Sequence, residues 1–238
     1  MCIKVLLFLV CSGILSSASA QPFSFGIKYG LNTSRFTGDL AILSNADESY
    51  NDKNGYNFGV VLAYDLSESF TVAGEINYVK KGSIYQSIGE TELLIKDIQL
   101  NYLEVPILVR FNFLKNLAIK PCIFMGPSFN FFKSGAENKH WMSLKPPSDE
   151  DLIEYFLEEY VLTVYPSEYY LEDYIVTDLY RSIELSVISG FGFQQTIKKD
   201  IQLNIDFRFH YGLTDIKKDL LLGNQKTLSV NMAITFSL

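Results

Sequence analysis

The sequence predicts an all-β fold: an eight-stranded antiparallel up-and-down transmembrane β-barrel with a long extracellular loop between its fifth and sixth strands. Three observations predict it. Apolar and polar residues alternate with period two in eight separate segments, so each segment has one apolar wall and one polar wall. Most segments run roughly 11 to 16 residues, whereas a soluble strand runs about 5 to 6 and a tilted membrane strand needs about 9 to 11. The connections alternate strictly between short and long, as they do between the two sides of an outer-membrane barrel. A soluble sandwich would show shorter and more frequent strands.

The elements follow in order. Phe23 to Ser34 carries Phe23, Phe25, Ile27, Tyr29 and Leu31 on its apolar side. Tyr56 to Leu66 alternates through Phe58, Val60, Leu62 and Tyr64, and Phe70 to Lys80 through Val72, Ile76 and Tyr78. Ile98 to Phe113 is apolar at Val105, Ile107, Val109 and Phe111. Leu117 to Phe132 is the least regular, and Ile183 to Ile197 follows with Leu185, Val187, Phe191 and Phe193. The last two strands are the cleanest. Ile201, Leu203, Ile205, Phe207, Phe209 and Tyr211 share one face, and Leu228, Val230, Met232, Ile234 and Phe236 another. Pro106, Pro121 and Pro127 interrupt their segments. Proline lacks a ladder donor, so bulges or strand ends are expected there.

Ser67-Glu68-Ser69, Leu114-Lys115-Asn116 and Lys198-Lys199-Asp200 are the short turns. The long connections are 35–55, 81–97, 133–181 and 213–226. An even strand count then puts both termini on the periplasmic side.

The first twenty residues read as a cleaved signal peptide. Lys4 gives a positive n-region, Val5 to Leu15 an apolar stretch, and Ala18-x-Ala20 a small-residue cleavage site. The mature domain is expected to span 21–238. The apolar run is short for a membrane anchor. Val10 before Cys11 does not suit a lipoprotein signal. Cleavage leaves Cys122 as the single cysteine, which excludes an internal disulfide and a cysteine metal site. With His140 and His210 as its only histidines, the chain is expected to hold no metal and no cofactor. A net charge of −7 argues against a nucleic-acid partner.

Phe25-Gly26-Ile27-Lys28-Tyr29-Gly30-Leu31-Asn32 resembles the opening strand of the PorT-like outer-membrane β-barrel family of Bacteroidetes. Tyr102-Leu103-Glu104-Val105-Pro106-Ile107-Leu108-Val109-Arg110-Phe111 resembles that family's mid-chain strand. The resemblance implies an eight-stranded outer-membrane barrel and an accessory role in secretion or surface assembly. The sequence departs from it at Leu238, where an aromatic is usual.

Strand parity turns Lys28, Glu75, Glu104, Arg110, Lys120, Glu184, Asp206 and Arg208 inward, four acids and four bases, with His210 beside them. An eight-stranded lumen is just wide enough for side chains to fill, and charges there must pair. A balanced salt-bridge plug is therefore the plain reading; a proton path, a narrow conductance or a ligand site is the functional one. No Ser-His-acid motif stands out, so the chain is expected not to be an enzyme. A lipid-modifying hydrolase using His210 is the alternative, and a narrow passive channel a third.

The 133–181 connection carries eleven acids against Lys139 and Lys145 between Ser134 and Tyr180, a local net of −9. Its aromatics include Trp141, Tyr155, Phe156, Tyr160, Tyr165, Tyr169, Tyr170 and Tyr174. Pro146-Pro147-Ser148 followed by acids predicts a short helix carrying Leu152, Phe156 and Tyr160 on one stripe. So long and aromatic a loop is expected to fold over the mouth. There it would present a surface for a protein, a glycan or a divalent cation. The expected setting is a monomeric barrel in outer-membrane lipid.

Overall fold

The computed structural model describes residues 23–37, 47–89, 92–114, 117–144, 166–175, 180–198, 200–216 and 224–237. The expected signal peptide (1–20) and the expected helix around 148–160 lie outside the described residues.

Among the described residues there are nine strands: β1 (Phe23–Phe36), β2 (Asp47–Asp65), β3 (Phe70–Ile88), β4 (Glu92–Asn112), β5 (Ile119–Leu144), β6 (Pro166–Ile175), β7 (Ile183–Lys198), β8 (Ile201–Gly212) and β9 (Gln225–Ser237). All pairings are antiparallel. The sheet runs β4-β3-β2-β1-β9-β8-β7-β5, and the β4–β5 pairing closes it into an eight-stranded barrel. The ninth strand, β6, lies outside that ring and pairs with the far half of β5. The three tight turns and both described chain ends share one end of the barrel, since Ser24 faces Ser237. We call it the turn end, and the opposite one the loop end.

Alternation decides which wall each residue joins. Ile27, Leu31 and Met125 are 60%, 61% and 62% exposed on the outside, whereas Lys28, Glu75 and Arg208 are 5%, 3% and 3% exposed within. This inverts the usual soluble pattern. A continuous apolar belt of this size is stable only against hydrocarbon.

Several boundaries differ from the sequence expectation. Residues 47–55 and 81–88 are strand rather than loop, as are 92–97 and 133–144. These extensions stand beyond the apolar belt, where both faces can be polar and alternation no longer marks a strand. Residues 166–175 form β6 within the stretch expected as loop and helix. The prolines do not end strands. Pro106 and Pro121 pair with Ser128 and Phe193, and Pro127 with Val187, in unbroken register. The β4–β5 ladder skips only Ile107 and Leu108, next to the missing donors of Pro106 and Pro127. The bulge falls instead at Lys133, between the Asn101/Ser134 and Tyr102/Phe132 pairs. One extra residue reverses parity, so Asn130 and Glu137 both point inward.

Candidate functional site

The lumen holds three layers of side chains. The layer toward the turn end is ionic. Lys28 Nζ lies 2.5 Å from Glu75 Oε2. Arg208 holds the same carboxylate in a fork, Nη1 to Oε2 and Nη2 to Oε1, both at 2.8 Å. Arg208 Nη2 also donates to Asp206 Oδ2 at 2.7 Å, and Arg110 pairs with that same oxygen. Asn77 Nδ2 adds a bond to Glu75 at 3.0 Å. The Phe124 ring lies 5.0 Å from the Arg110 guanidinium and 5.4 Å from that of Arg208. Glu75 and Asp206 thus each join two cations. Forked, charge-assisted bonds of this kind are what make buried charge tolerable.

The middle layer centres on His210. Its Nδ1 lies 3.4 Å from Glu104 Oε2, and its Nε2 lies 3.3 Å from Ser229 Oγ. Asn231 Nδ2 donates to the same hydroxyl at 2.9 Å. Lys81 Nζ sits 4.6 Å from the centre of the Tyr102 ring, and the Tyr102 hydroxyl donates to Glu184. Asp206, Arg208 and His210 reach these layers because they sit two apart on one wall of β8. Ser229 on β9 is the register partner of Arg208.

The third layer, toward the loop end, is apolar. Phe36, Tyr85, Ile98, Leu100, Tyr102, Tyr180 and Ile216 form one buried cluster. Tyr180 and Ile216 come from connections rather than barrel strands, and Arg181 N donates to Ile216 O at 2.9 Å. The Tyr180 ring stacks on Phe132 at 5.6 Å, and its hydroxyl donates to Glu137 at 2.7 Å. Burial, and after it the Glu137 charge, pushes the Tyr180 phenol above its ordinary range.

Lys120 is half-buried at the turn end and takes part in none of the ion pairs just described. The buried cation sequence reading missed is Lys81. It lies one residue past the expected end of its strand, and continuing the parity of Glu75 would have found it. Ser229 gave no signal, because the polar wall of β9 is rich in small hydroxyls. The apolar cap depends on residues from two connections, which no strand pattern reports.

Ser229, His210 and Glu104 stand in the order of a nucleophile, a base and an orienting acid. A substrate would need space beside Ser229. The cavity bordering Ser229, His210 and Glu104 measures only about 10 Å³, the room of a single water. A second lumen cavity toward the turn end, lined by Glu75, Arg110 and Asp206 among others, is about 40 Å³. Gly30 leaves room for the side chain of its cross-strand neighbour: a Cβ there would lie 2.2 Å from Asn231 Oδ1. Among the described residues no group of three or more metal-ligating side chains converges.

The aromatic residues expected at the loop surface divide. Trp141 is in β5, opposite Tyr170 in β6, and Tyr169 and Tyr174 pair with Met142 and Glu137. Tyr155, Phe156, Tyr160 and Tyr165 lie outside the described residues.

The family model described as outer membrane protein beta-barrel domain matches residues 17–218. No curated protein matches the chain. The chain is also similar, at low identity, to several solved structures. The outer membrane protease OmpT of Escherichia coli is 8% identical over 94% of this chain and 99% of its own, at a TM-score of 0.45. The outer membrane protein OprG of Pseudomonas aeruginosa is 10% identical over 92% and 99%, at 0.40. Ail, the attachment invasion locus protein of Yersinia pestis, is 14% identical over 90% and 98%, at 0.38.

Proposed function

We propose the following role for a chain that belongs to the outer membrane protein beta-barrel domain family: a plugged, non-enzymatic barrel that serves as a surface interaction protein. It is exported by a signal peptide cleaved after Ala20, and both termini face the periplasm. Its acid- and tyrosine-rich segment between β5 and β7 faces outward and binds a protein or glycan. The resemblance of the Phe25–Asn32 and Tyr102–Phe111 stretches to PorT-like barrels supports a finer version, an accessory role in secretion or surface assembly.

The observation that carries this reading is the filled lumen. Lumen cavities of about 10 and 40 Å³ under an apolar cap are too small to hold a solute, which supports placing function at the exposed ends. Two tests address the segment. Deleting residues 140–175 should leave heat-modifiable migration of the barrel intact, and a chain that then fails to fold would make the segment structural. Replacing Tyr155 or Tyr165 by a photo-reactive phenylalanine in intact cells should give discrete cross-linked species. No cross-link at either position would remove the interaction reading.

The Ser229–His210–Glu104 alignment favours one second reading, a hydrolase of outer-membrane lipid with His210 as base. It requires the lumen to open enough to admit an acyl chain. An unchanged lipid A profile in cells carrying His210→Ala would eliminate it.

A further inference from the structure

The outer wall changes chemistry at one level near the loop end. On β1 the outward side chains from Phe23 to Leu31 are apolar, Thr33 follows, and the next is Arg35. On β9 they are apolar from Phe236 back to Leu228, and the next is Lys226. Arg35 and Lys226 are both exposed and are register partners. Directly opposed residues on one face have Cβ atoms about 4.5–5.5 Å apart, and like charges so placed repel. An anion between them would turn that repulsion into attraction. Lys226 is also the register partner of Tyr211 on β8 and lies 5.9 Å from the centre of its ring. Arg35 Nε lies 3.6 Å from Asp52 Oδ1, but both side chains are more than half exposed. A contact of that kind is worth little and leaves the guanidinium able to turn to another anion.

Next to this pair, on its turn-end side, the outer wall carries an open groove of about 820 Å³. β1, β9, β8 and β7 line it with Leu31, Leu228, Val230, Phe207, Phe209 and Phe191. Register sets these side by side: Leu31 faces Val230, Val230 faces Phe207, and Phe207 faces Phe191. The wall dips at Ser189, also in the groove. Its register partners Phe209 and Met125 are exposed on the outside, so a small hydroxyl stands where its neighbours carry long apolar side chains. The groove reaches Thr33 and Leu228, one outward position short of Arg35 and Lys226. Its size is that of a ligand site, about 300–1,000 Å³, and like such sites it is mostly apolar with a few convergent polar groups.

We propose that the groove and its two cations hold one lipid of the loop-end leaflet by a phosphate headgroup. Arg35 and Lys226 donate to the phosphate, and the acyl chains lie in the groove over Leu31, Val230 and Phe207. A lipid at the margin of a bilayer presents an anion and then hydrocarbon in the same order along the wall. The site is separate from the segment between β5 and β7, and it stands whether or not that segment binds a partner.

The test is native mass spectrometry of the full mature chain folded in non-ionic detergent, with phosphatidic acid, phosphatidylcholine or diacylglycerol added in turn. The expected result is one retained phosphatidic acid. Phosphatidylcholine, whose choline offsets the phosphate, and diacylglycerol, which lacks it, should each be retained about tenfold less, the size of one lost charge-assisted bond. Arg35→Gln/Lys226→Gln, and separately the groove-filling Ser189→Phe, should each lose about tenfold in retention with unchanged heat-modifiable migration. Lys80→Gln/Arg181→Gln, which removes the same charge elsewhere, should retain the lipid as the native chain does. Equal retention of diacylglycerol would overturn the proposal, since apolar contact alone would then explain binding. Equal loss in the Lys80/Arg181 variant would overturn it in favour of net charge. Displacement of the lipid by glycerol 3-phosphate would show a site for free phosphate, and a retained dimer without lipid would show the groove to be covered by a second copy; either would overturn it too.

Discussion

Glu75 is the residue on which the interior depends. It accepts from Lys28, Asn77 and both Nη groups of Arg208, and it is 3% exposed. Glu75→Ala would leave two buried cations short of a counter-charge. Removing one partner of a buried pair costs about 3–5 kcal/mol, and urea unfolding in detergent or lipid vesicles should show a loss of that size. Lys120→Gln, at the half-exposed turn end, should stay within about 0.5 kcal/mol. Tyr180 offers a pH test. Its phenol is held protonated by burial and by Glu137, so its folded pKa exceeds the unfolded value of about 10. The stability it contributes is complete below about pH 10 and falls as pH rises above that, because only the unfolded chain then releases the proton. Urea midpoints measured from pH 9 to 11 should decline more steeply for the native chain than for Tyr180→Phe. Equal slopes would exclude the linkage. At this scale the lumen was partly legible. Parity alone places Glu75, Asp206 and Arg208 on one wall, because alternation within the belt is strict. It could not report Tyr180 or Ile216, which reach the interior from connections.

Among the elements, legibility tracks the environment. β8 and β9 lie within the belt for nearly their whole length, and hydrocarbon on one side against a polar lumen on the other enforces alternation. The far halves of β2 to β5 do not, and Asp47 to Gly55 reads as loop because its composition is polar on both walls. β6 was hidden for the same reason, within a run of acids and tyrosines. The belt should be sensitive where the extensions are not. Phe207→Arg, mid-strand in β8 and exposed on the outer face, should cost about 2–4 kcal/mol, as cationic side chains do at the bilayer midplane. Asn51→Arg, in the extension of β2, should change the urea unfolding free energy by less than about 0.5 kcal/mol. Equal losses for the two would mean that the belt is not facing lipid.

For the whole molecule, the eight strands of the closed ring, its antiparallel order and the grouping of tight turns at one end were all legible, because each rests on period and spacing. The three-layer filling of the lumen was not, since it combines a bulge at Lys133, an added cation at Lys81 and two inserted connections. The proposed function requires this filling, with its ionic pairs, histidine layer and apolar cap, to close the barrel to solutes. The most direct test is conductance of the full mature chain reconstituted in planar lipid bilayers, with folding checked by heat-modifiable migration. No steady single-channel current is expected at neutral pH in molar salt. A reproducible ohmic conductance from the folded protein would contradict it.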